Sequence, residues 1–128
     1  MQRLPFIYFN DSPKGGRGVF TTDFIPIGTL LEICPVIIIP EKDLPAIHET
    51  HLHDYYFLWS DDGKEAAIAL GFGSLYNHSY RPNAEYITNR DNKSIDVYTI
   101  EDVPAGEEIT FNYNGTPFDD EKLWFDAK

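Results

Sequence analysis

Short runs of hydrophobic residues recur along the chain, and clusters of turn-forming residues separate them. Most of these runs are rich in β-branched and aromatic residues, which favour strands. The clusters contain Gly, Pro, Asn and Asp, as in residues 13–16 and 104–106. The pattern therefore predicts a mainly β fold made of small sheets. The predicted strands span residues 6–9, 18–22, 29–33, 36–39, 55–59, 66–70, 85–88, 95–100 and 109–113.

Alternation of apolar and polar residues identifies one clear hairpin and leaves little of the chain for helices. Residues 85–88 and 95–98 each present one apolar face, and the polar loop between them fits a hairpin connection. A helix is predicted only for residues 41–51, with one further helical turn at residues 75–78. No repeat, low-complexity tract or linker interrupts the pattern, so residues 1–128 are expected to form a single domain.

Charge and cysteine content restrict the partner and the compartment. The formal net charge is -11, from 21 acidic and 10 basic residues, which disfavours binding to a phosphate backbone and favours a cationic partner. The single cysteine, Cys34, excludes an intrachain disulfide and a four-cysteine zinc cluster, as is typical of a reducing compartment. Cys34 lies in an apolar run and is expected to be a buried thiol.

Membrane insertion and export are not expected. The longest apolar run, residues 36–39, is far shorter than the roughly 20 residues that a membrane span needs. The N-terminal residues enter a predicted strand directly and carry no export signal. We therefore expect a cytoplasmic protein with no membrane partner and no direct nucleic acid binding.

Three segments could carry chemistry, and each also has an ordinary structural explanation. Residues 12–20, SPKGGRGVF, form a glycine-rich turn that could approach a ligand closely or simply close a hairpin. Residues 73–86, GSLYNHSYRPNAEY, hold Asn and His side chains that could bind a heterocycle edge or tie loops to the backbone. Residues 106–115, GEEITFNYNG, include a tyrosine at a strand end, where tyrosines usually pack with a wet hydroxyl.

In this order and at these separations, the three segments resemble the SET-domain protein lysine methyltransferases. The likeness rests on the Gly-x-Gly turn at residues 16–18, on Asn-His-Ser and Pro-Asn within residues 77–83, and on Glu-Glu-Ile-Thr-x-x-Tyr at residues 107–113. It is strongest to the compact stand-alone SET proteins of bacteria and large DNA viruses. The resemblance implies a SET-domain β-clip-like fold of small curled sheets with a C-terminal pseudoknot. Its core spans residues 6–114, and residues 115–128 form a short post-SET-like tail.

The resemblance also implies an activity and a set of site residues. The activity is transfer of methyl groups from S-adenosyl-L-methionine (SAM) to a lysine of a basic protein, with histones and histone-like proteins as candidates. Tyr113 and Tyr55 are the expected catalytic residues. The expected cofactor-binding residues are Gly15, Gly16, Arg17, Gly18, Asn77, His78 and Phe118, with Trp124 as a substitute for Phe118 over the adenine. The expected substrate-binding residues are Phe111, Tyr56 and Leu75.

The family pattern is matched at one switch position and departed from at others. Phe111 occupies a Phe/Tyr switch, and a Phe at that position implies the capacity for di- or trimethylation. Asn112 replaces an acidic residue, and Tyr80 replaces a frequent cysteine. The cysteines of the flanking zinc modules are absent, so no structural metal is predicted.

Other functions and assemblies stay open from the sequence. One alternative is a catalytically inert SET-like module that binds cofactor or peptide. Another is a metal-binding β domain that uses His48, His51 and His53, although a solvated helix end explains these histidines more simply. A homodimer is compatible with the sheet edges that a bare SET core exposes. A chromatin substrate would place the protein in the nucleus or nucleoid.

Overall fold

The chain folds into small, curled β-sheets, as the strand-rich pattern predicts. A computed structural model describes residues 2–60 and 62–113. The strands in these ranges are β1 (Ile7–Asp11), β2 (Arg17–Thr21), β3 (Leu30–Ile39), β4 (Tyr56–Leu58), β5 (Ala66–Ala69), β6 (Asn77–His78), β7 (Ala84–Asn89), β8 (Ser94–Thr99) and β9 (Glu108–Phe111). A short α-helix, α1 (Leu44–His48), lies between two 3-10 turns at Glu41–Asp43 and His51–Asp54.

The strands form one sheet of four strands and one of five. The first has the order β1-β2-β9-β6, and the second has the order β4-β5-β3-β8-β7. Strand β3 is shared along its length, because residues 30–35 pair with β8 and residues 36–39 pair with β5. The sequence predicted two strands here, at residues 29–33 and 36–39. The structure joins these two segments into β3. Pro35 lies where β3 changes its pairing from β8 to β5, so its missing N–H interrupts neither the β3–β8 nor the β3–β5 ladder.

The helical predictions need correction. The helix predicted at residues 41–51 is broken into α1 and its two flanking 3-10 turns, since the Thr50 side chain accepts the Leu52 N–H (3.2 Å) and starts a new turn. The turn predicted at residues 75–78 ends earlier, because Asn77 and His78 form β6 and pair with β9 instead. Every helix in the described ranges is too short to cross a bilayer.

The core lies between the inner faces of the two sheets. Cys34 belongs to this core, as predicted, and burial together with the nearby Glu32 carboxylate raises the pKa of its thiol. The largest fully buried aliphatic and aromatic side chains are Ile25, Leu31, Tyr76, Ile95, Ile109 and Phe111. Two of them, Tyr76 and Phe111, pack as tilted rings with centroids 5.1 Å apart, and they extend the core to β6 and β9.

Strand β9 is held on both sides, partly by side chains. It pairs with β2 in antiparallel fashion and with the two-residue β6 in parallel fashion. The Asn83 amide extends this short ladder, because it donates to the Glu108 carbonyl (2.9 Å) and accepts the Thr110 N–H (2.9 Å). His78 Nδ1 accepts the Tyr113 N–H just beyond β9 (3.0 Å). The insertion of the C-terminal strand beside the Asn-His segment agrees with the expected pseudoknot.

Loss of the Asn83 amide should loosen this strand. We expect Asn83→Ala to lower the free energy of unfolding by about 2–6 kcal/mol, because a backbone donor and a backbone acceptor each lose a partner at a cost of about 1–3 kcal/mol. Urea denaturation measures the change. Asn10→Ala, at an exposed position of β1, is the matched control, and its free energy of unfolding should stay within about 0.5 kcal/mol of wild type. Equal effects of the two substitutions would contradict this role of Asn83.

Acidification should weaken the fold through His78. Burial, aided by the positive charge of Lys14, lowers the pKa of His78 from its ordinary value of 6.5. The folded chain therefore binds fewer protons than the unfolded chain, and the stability from this source is present above pH 6.5 and lost as the pH falls through the lowered pKa.

The expected result is a larger loss of unfolding free energy in wild type than in His78→Gln when the pH falls from about 7.5 to about 5.5. Urea denaturation at several pH values gives the two slopes. His51→Gln, at an exposed position, serves as the control for losing any histidine. A His78→Gln slope equal to that of wild type would count against the idea.

Candidate active site

A single cavity gathers most of the site residues predicted from sequence. Its volume is about 900 Å³. Loops and strand ends form its walls: the turn after β1, the 3-10 turn before Tyr55, the end of β5, the bend before β6 and the residue that follows β9. The predicted residues that line it are Gly15, Gly16, Arg17, Tyr55, Leu75, Asn77 and Tyr113.

The glycine-rich turn between β1 and β2 forms one wall of the cavity. Gly15 and Gly16 adopt positive φ angles of 104° and 62°, which side-chain-bearing residues rarely adopt. A Cβ on Gly16 would meet no atom within 4 Å, so its backbone faces open space. Gly18 is different, because a Cβ there would collide with the Glu108 carboxylate. The turn thus offers bare backbone to a ligand while Gly18 packs tightly behind it.

The Glu108 carboxylate joins this turn to β6. One oxygen accepts the Ser12 hydroxyl (2.7 Å), and the other accepts the Asn77 side-chain amide (2.7 Å). The same Asn77 amide also donates to the Arg17 carbonyl (3.2 Å). These bonds fix the Asn77 side chain relative to the glycine-rich turn, so the two walls of the cavity keep one spacing.

Tyr113 lies where the two walls meet. Its hydroxyl donates to the backbone carbonyl of Tyr76 over 2.6 Å, and a phenol oxygen can accept as well as donate. Burial first, then the neighbouring Tyr55 and Glu108, raises the pKa of Tyr113 above its ordinary value of 10.0. Tyr113 therefore stays a neutral phenol at physiological pH, and its orientation is fixed by a backbone acceptor.

The two adjacent tyrosines at the start of β4, Tyr55 and Tyr56, have different surroundings. Tyr55 is 39% exposed and lines the cavity across from Tyr113. The Tyr56 hydroxyl is instead hydrogen-bonded to His48 Nδ1 (2.9 Å), and Tyr56 is not among the residues lining the cavity. The structure therefore brings Tyr55 and Leu75 to the cavity and places Tyr56 against α1.

Phe111 sits behind the cavity in an aromatic cluster. It is 1% exposed, and its ring lies 4.9 Å from Tyr86 and 5.8 Å from Tyr113, centroid to centroid. The Tyr86 hydroxyl donates to the Tyr113 carbonyl (3.1 Å), and burial raises the pKa of Tyr86 to about 12. Phe111 thus supports Tyr113 from behind and does not line the cavity itself.

His78 is buried beside the cavity with one ring nitrogen unused. Because Nδ1 accepts the Tyr113 N–H, the neutral ring carries its proton on Nε2. Nε2 is buried and has no hydrogen-bond partner among the described residues. The ring therefore presents a free donor to any acceptor that covers this edge. Phe118 and Trp124, predicted to cover the adenine, lie outside the described residues.

The sequence prediction omitted two residues that matter in this geometry. Glu108 was available in the Glu-Glu-Ile-Thr segment, and Tyr76 directly precedes Asn77. Glu108 acts on the side chain of Asn77, whereas Tyr76 supplies a backbone carbonyl, and a sequence gives no signal for a backbone contact. Neither role follows from residue type alone.

The histidines around α1 form a surface cluster. The rings of His48 and His53 lie 4.2 Å apart, and His53 Nδ1 is hydrogen-bonded to the Asp54 carboxylate (2.8 Å). Within the described part of the chain, no group of three or more His, Cys, Asp or Glu residues is arranged to hold a metal ion.

Comparisons with known proteins agree with the fold and with the motif positions. A family model described as SET domain matches residues 16–114. A Schizosaccharomyces pombe protein named histone-lysine N-methyltransferase, H3 lysine-37 specific, is 33% identical over 97% of this chain and 82% of its own length. A Cryptococcus neoformans protein named histone-lysine N-methyltransferase, H3 lysine-36 specific, is 31% identical over 79% of this chain and 13% of its own length.

Solved structures give the same result. A crystal structure from Plasmodium falciparum superposes with a TM-score of 0.68 and 32% identity, covering 86% of this chain and 98% of its own. A chain from a study of product specificity in histone lysine methyltransferases gives a TM-score of 0.76 at 20% identity, over 96% of this chain and 57% of its own. The chain therefore belongs to the SET-domain family, and it is a protein-lysine methyltransferase.

Proposed function

We propose that this enzyme transfers methyl groups from SAM to a lysine in a basic, histone-like tail, and that the 900 Å³ cavity is its active site. The observation that carries the proposal is the placement of the Tyr113 hydroxyl, which is held 2.6 Å from the Tyr76 carbonyl between the glycine-rich turn and Tyr55. The phenol oxygen and the Tyr76 carbonyl meet there, and polar oxygens of this kind can contact a polarised methyl group.

The residues around the cavity fit SAM. The volume suits a nucleoside-sized ligand, and the bare backbone of Gly15 and Gly16 allows close approach. The Nε2–H of His78 has no partner among the described residues, and an acceptor atom at the edge of a heterocycle can accept its hydrogen bond. The carboxylates of Asp11 and Asp54 also line the cavity, and their charge favours a sulfonium cation. SAM, when bound, supplies the electrophilic methyl group.

The chemistry asked of the protein is alignment. Methyl transfer to an amine is an in-line displacement, so the gain comes from holding the reacting groups in one geometry. Tyr113 is neutral and already donates its proton to Tyr76, so it orients the methyl and the amine and does not act as the base. The lysine amine, whose ordinary pKa is about 10.4, becomes neutral more easily near a sulfonium and inside an aromatic channel.

Charge and relatives point to the same substrate class. The chain carries a net charge of -11, so a cationic tail gains association rate and orientation from it. The two fungal relatives are named for histone H3. The N-terminal tail of histone H3 is therefore the first substrate to test, and a chromatin substrate would place the enzyme in the nucleus.

Tyr113→Phe should lower kcat by about 10²–10³-fold, because the variant keeps the ring and removes the group that orients the reacting atoms. The measurement is release of S-adenosylhomocysteine from SAM with an H3 tail peptide. Tyr8→Phe, which removes a hydroxyl from an exposed residue on β1, should retain wild-type kcat.

The same assay separates the leading proposal from an inert SET-like module. Wild-type turnover that Tyr113→Phe loses would support the proposal. Wild type that neither releases S-adenosylhomocysteine with any basic protein nor binds SAM in calorimetry would favour the inert module. Wild-type turnover that Tyr113→Phe retains would remove Tyr113 from its proposed role.

Phe111→Tyr should reduce the number of methyl groups added. Phe111 packs against Tyr113 from behind the cavity, so an added hydroxyl and the water that it binds would push Tyr113 toward the cavity and reduce the room for added methyl groups. We expect wild type to reach di- or trimethyl-lysine on an H3 peptide and the variant to stop earlier, as mass spectrometry over a long time course would show. Phe20→Tyr adds the same hydroxyl to a half-buried phenylalanine of β2 and is the control for the added hydroxyl. Wild type that stops at monomethyl-lysine would contradict the expectation.

A further inference from the structure

A buried carboxylate lies behind the wall segment, residues 71–76, of which Ser74 and Leu75 line the cavity. Glu32, on β3, is 2% exposed. One of its oxygens accepts the Tyr76 hydroxyl (2.9 Å), and the other accepts the Phe72 N–H (2.9 Å). The Arg3 guanidinium reaches the second oxygen from outside (3.4 Å) and lies 3.9 Å above the Phe72 ring. Two of its hydrogen bonds therefore run to residues 72 and 76, and Arg3 and the Cys34 thiol also lie near the carboxylate.

The local backbone is arranged to aim this side chain inward. Leu31 and Glu32 are consecutive and both buried, whereas successive side chains of a regular strand point to opposite faces. The pairing of β3 with β8 shifts register between Leu30 and Glu32, and a bulge of this kind redirects a side chain. On the opposite side, Gly71 has a φ of 63°, and a Cβ there would collide with the carboxylate. Strand and wall are therefore both shaped around Glu32.

The contacts of Glu32 lead to the reacting centre through one residue. The Tyr76 hydroxyl donates to Glu32, and the Tyr76 backbone carbonyl accepts the Tyr113 hydroxyl. The Phe72 carbonyl accepts the Leu75 N–H (2.8 Å), so the bond from Glu32 to Phe72 also fixes the turn that presents Leu75 to the cavity. The carboxylate holds both ends of the segment that supplies the acceptor for Tyr113.

A carboxylate is a costly way to fill a core position. Removing an ionised carboxylate from water costs several kcal/mol, and replacing a buried ion pair with apolar residues is often neutral or stabilising. Arg3, which is paired with Glu32, has a side chain that is 41% exposed, and this exposure weakens its compensation for the buried charge. Packing alone therefore does not explain the residue, whereas accurate placement of the Tyr76 carbonyl does.

We propose that Glu32 is a positioning residue for methyl transfer, which acts through Phe72 and Tyr76 to fix the carbonyl that orients the Tyr113 hydroxyl. The inference rests on the proposed function of the cavity. Glu32 contacts neither cofactor nor substrate, so its loss should change the rate of the chemical step more than the binding of either ligand.

Two variants test the proposal from opposite ends of one hydrogen bond. Glu32→Gln keeps the shape and removes the charge, and Tyr76→Phe keeps the ring and removes the hydroxyl. Each should lower kcat by about 10-fold or more, because small displacements of positioning groups can cost up to about 100-fold. The KM values for SAM and for the H3 peptide should stay within about threefold of wild type. Glu101→Gln, the same change at an exposed residue, should retain wild-type kcat.

A readout without ligand separates positioning from general damage to the fold. The ¹³Cζ resonance of Tyr113, assigned by its absence in Tyr113→Phe, reports the hydrogen bond to Tyr76 in the free protein. We expect it to move in Glu32→Gln and Tyr76→Phe and to stay in place in Glu101→Gln. Thermal unfolding shows that each variant is folded at the assay temperature.

Each outcome is decisive for the inference. If either variant is folded and keeps wild-type kcat, or if the Tyr113 resonance is unmoved, Glu32 is not a positioning residue. If Glu32→Gln does not fold, Tyr76→Phe decides alone. Absence of wild-type turnover would count against the proposed function, and the resonance of Tyr113 would still test the link to Glu32.

Discussion

The two-sided pairing of β9 is the constraint on which the rest of the structure depends. The strand must hydrogen-bond to β2 on one side and to the chain around β6 on the other. On the β6 side, two described residues, Asn77 and His78, pair with β9 as a strand. Side chains therefore complete the hydrogen bonding on that side. Asn83 and the His78 ring do this, because an amide and an imidazole can replace backbone partners. The polar residues in an otherwise apolar segment are thus partners of the threaded strand.

The proposed function depends on that pairing because Tyr113 lies two residues beyond the end of β9. A strand inserted between β2 and β6 delivers the residue after it to the place where the glycine-rich turn and the Asn-His segment meet. Glu108, at the start of β9, ties Ser12 and Asn77 together behind the cavity. The elements that close the fold are therefore the ones that assemble the site, so a loosened strand would lose geometry at the reacting centre before the core unfolds.

Much of this arrangement could be predicted from sequence, and the failures have clear physical causes. Alternating and β-branched patterns identified most strands because those strands bury one face. Pattern could not show that β3 runs continuously through Pro35, since the change of partner is a tertiary event. It also assigned residues 75–78 to a helical turn, because the pairing with β9 that makes a strand of Asn77 and His78 comes from a distant part of the chain. The motif residues were found by type, whereas the roles of Tyr76 and Glu32 depend on a backbone carbonyl and a bulge.

Two carboxylates now explain how loops can hold a catalytic geometry. Glu108 fixes the glycine-rich wall to Asn77, and Glu32 fixes the opposite wall through Phe72 and Tyr76. Glu108 accepts hydrogen bonds from Ser12 and Asn77, and Glu32 accepts them from Phe72, Tyr76 and Arg3. Each carboxylate also lies against a glycine whose Cβ would collide with it. Loops lack the ladders that make strands rigid, and a charged acceptor with two fixed donors supplies the missing constraint. The cavity can therefore be built from turns and strand ends and still present Tyr113 in one orientation.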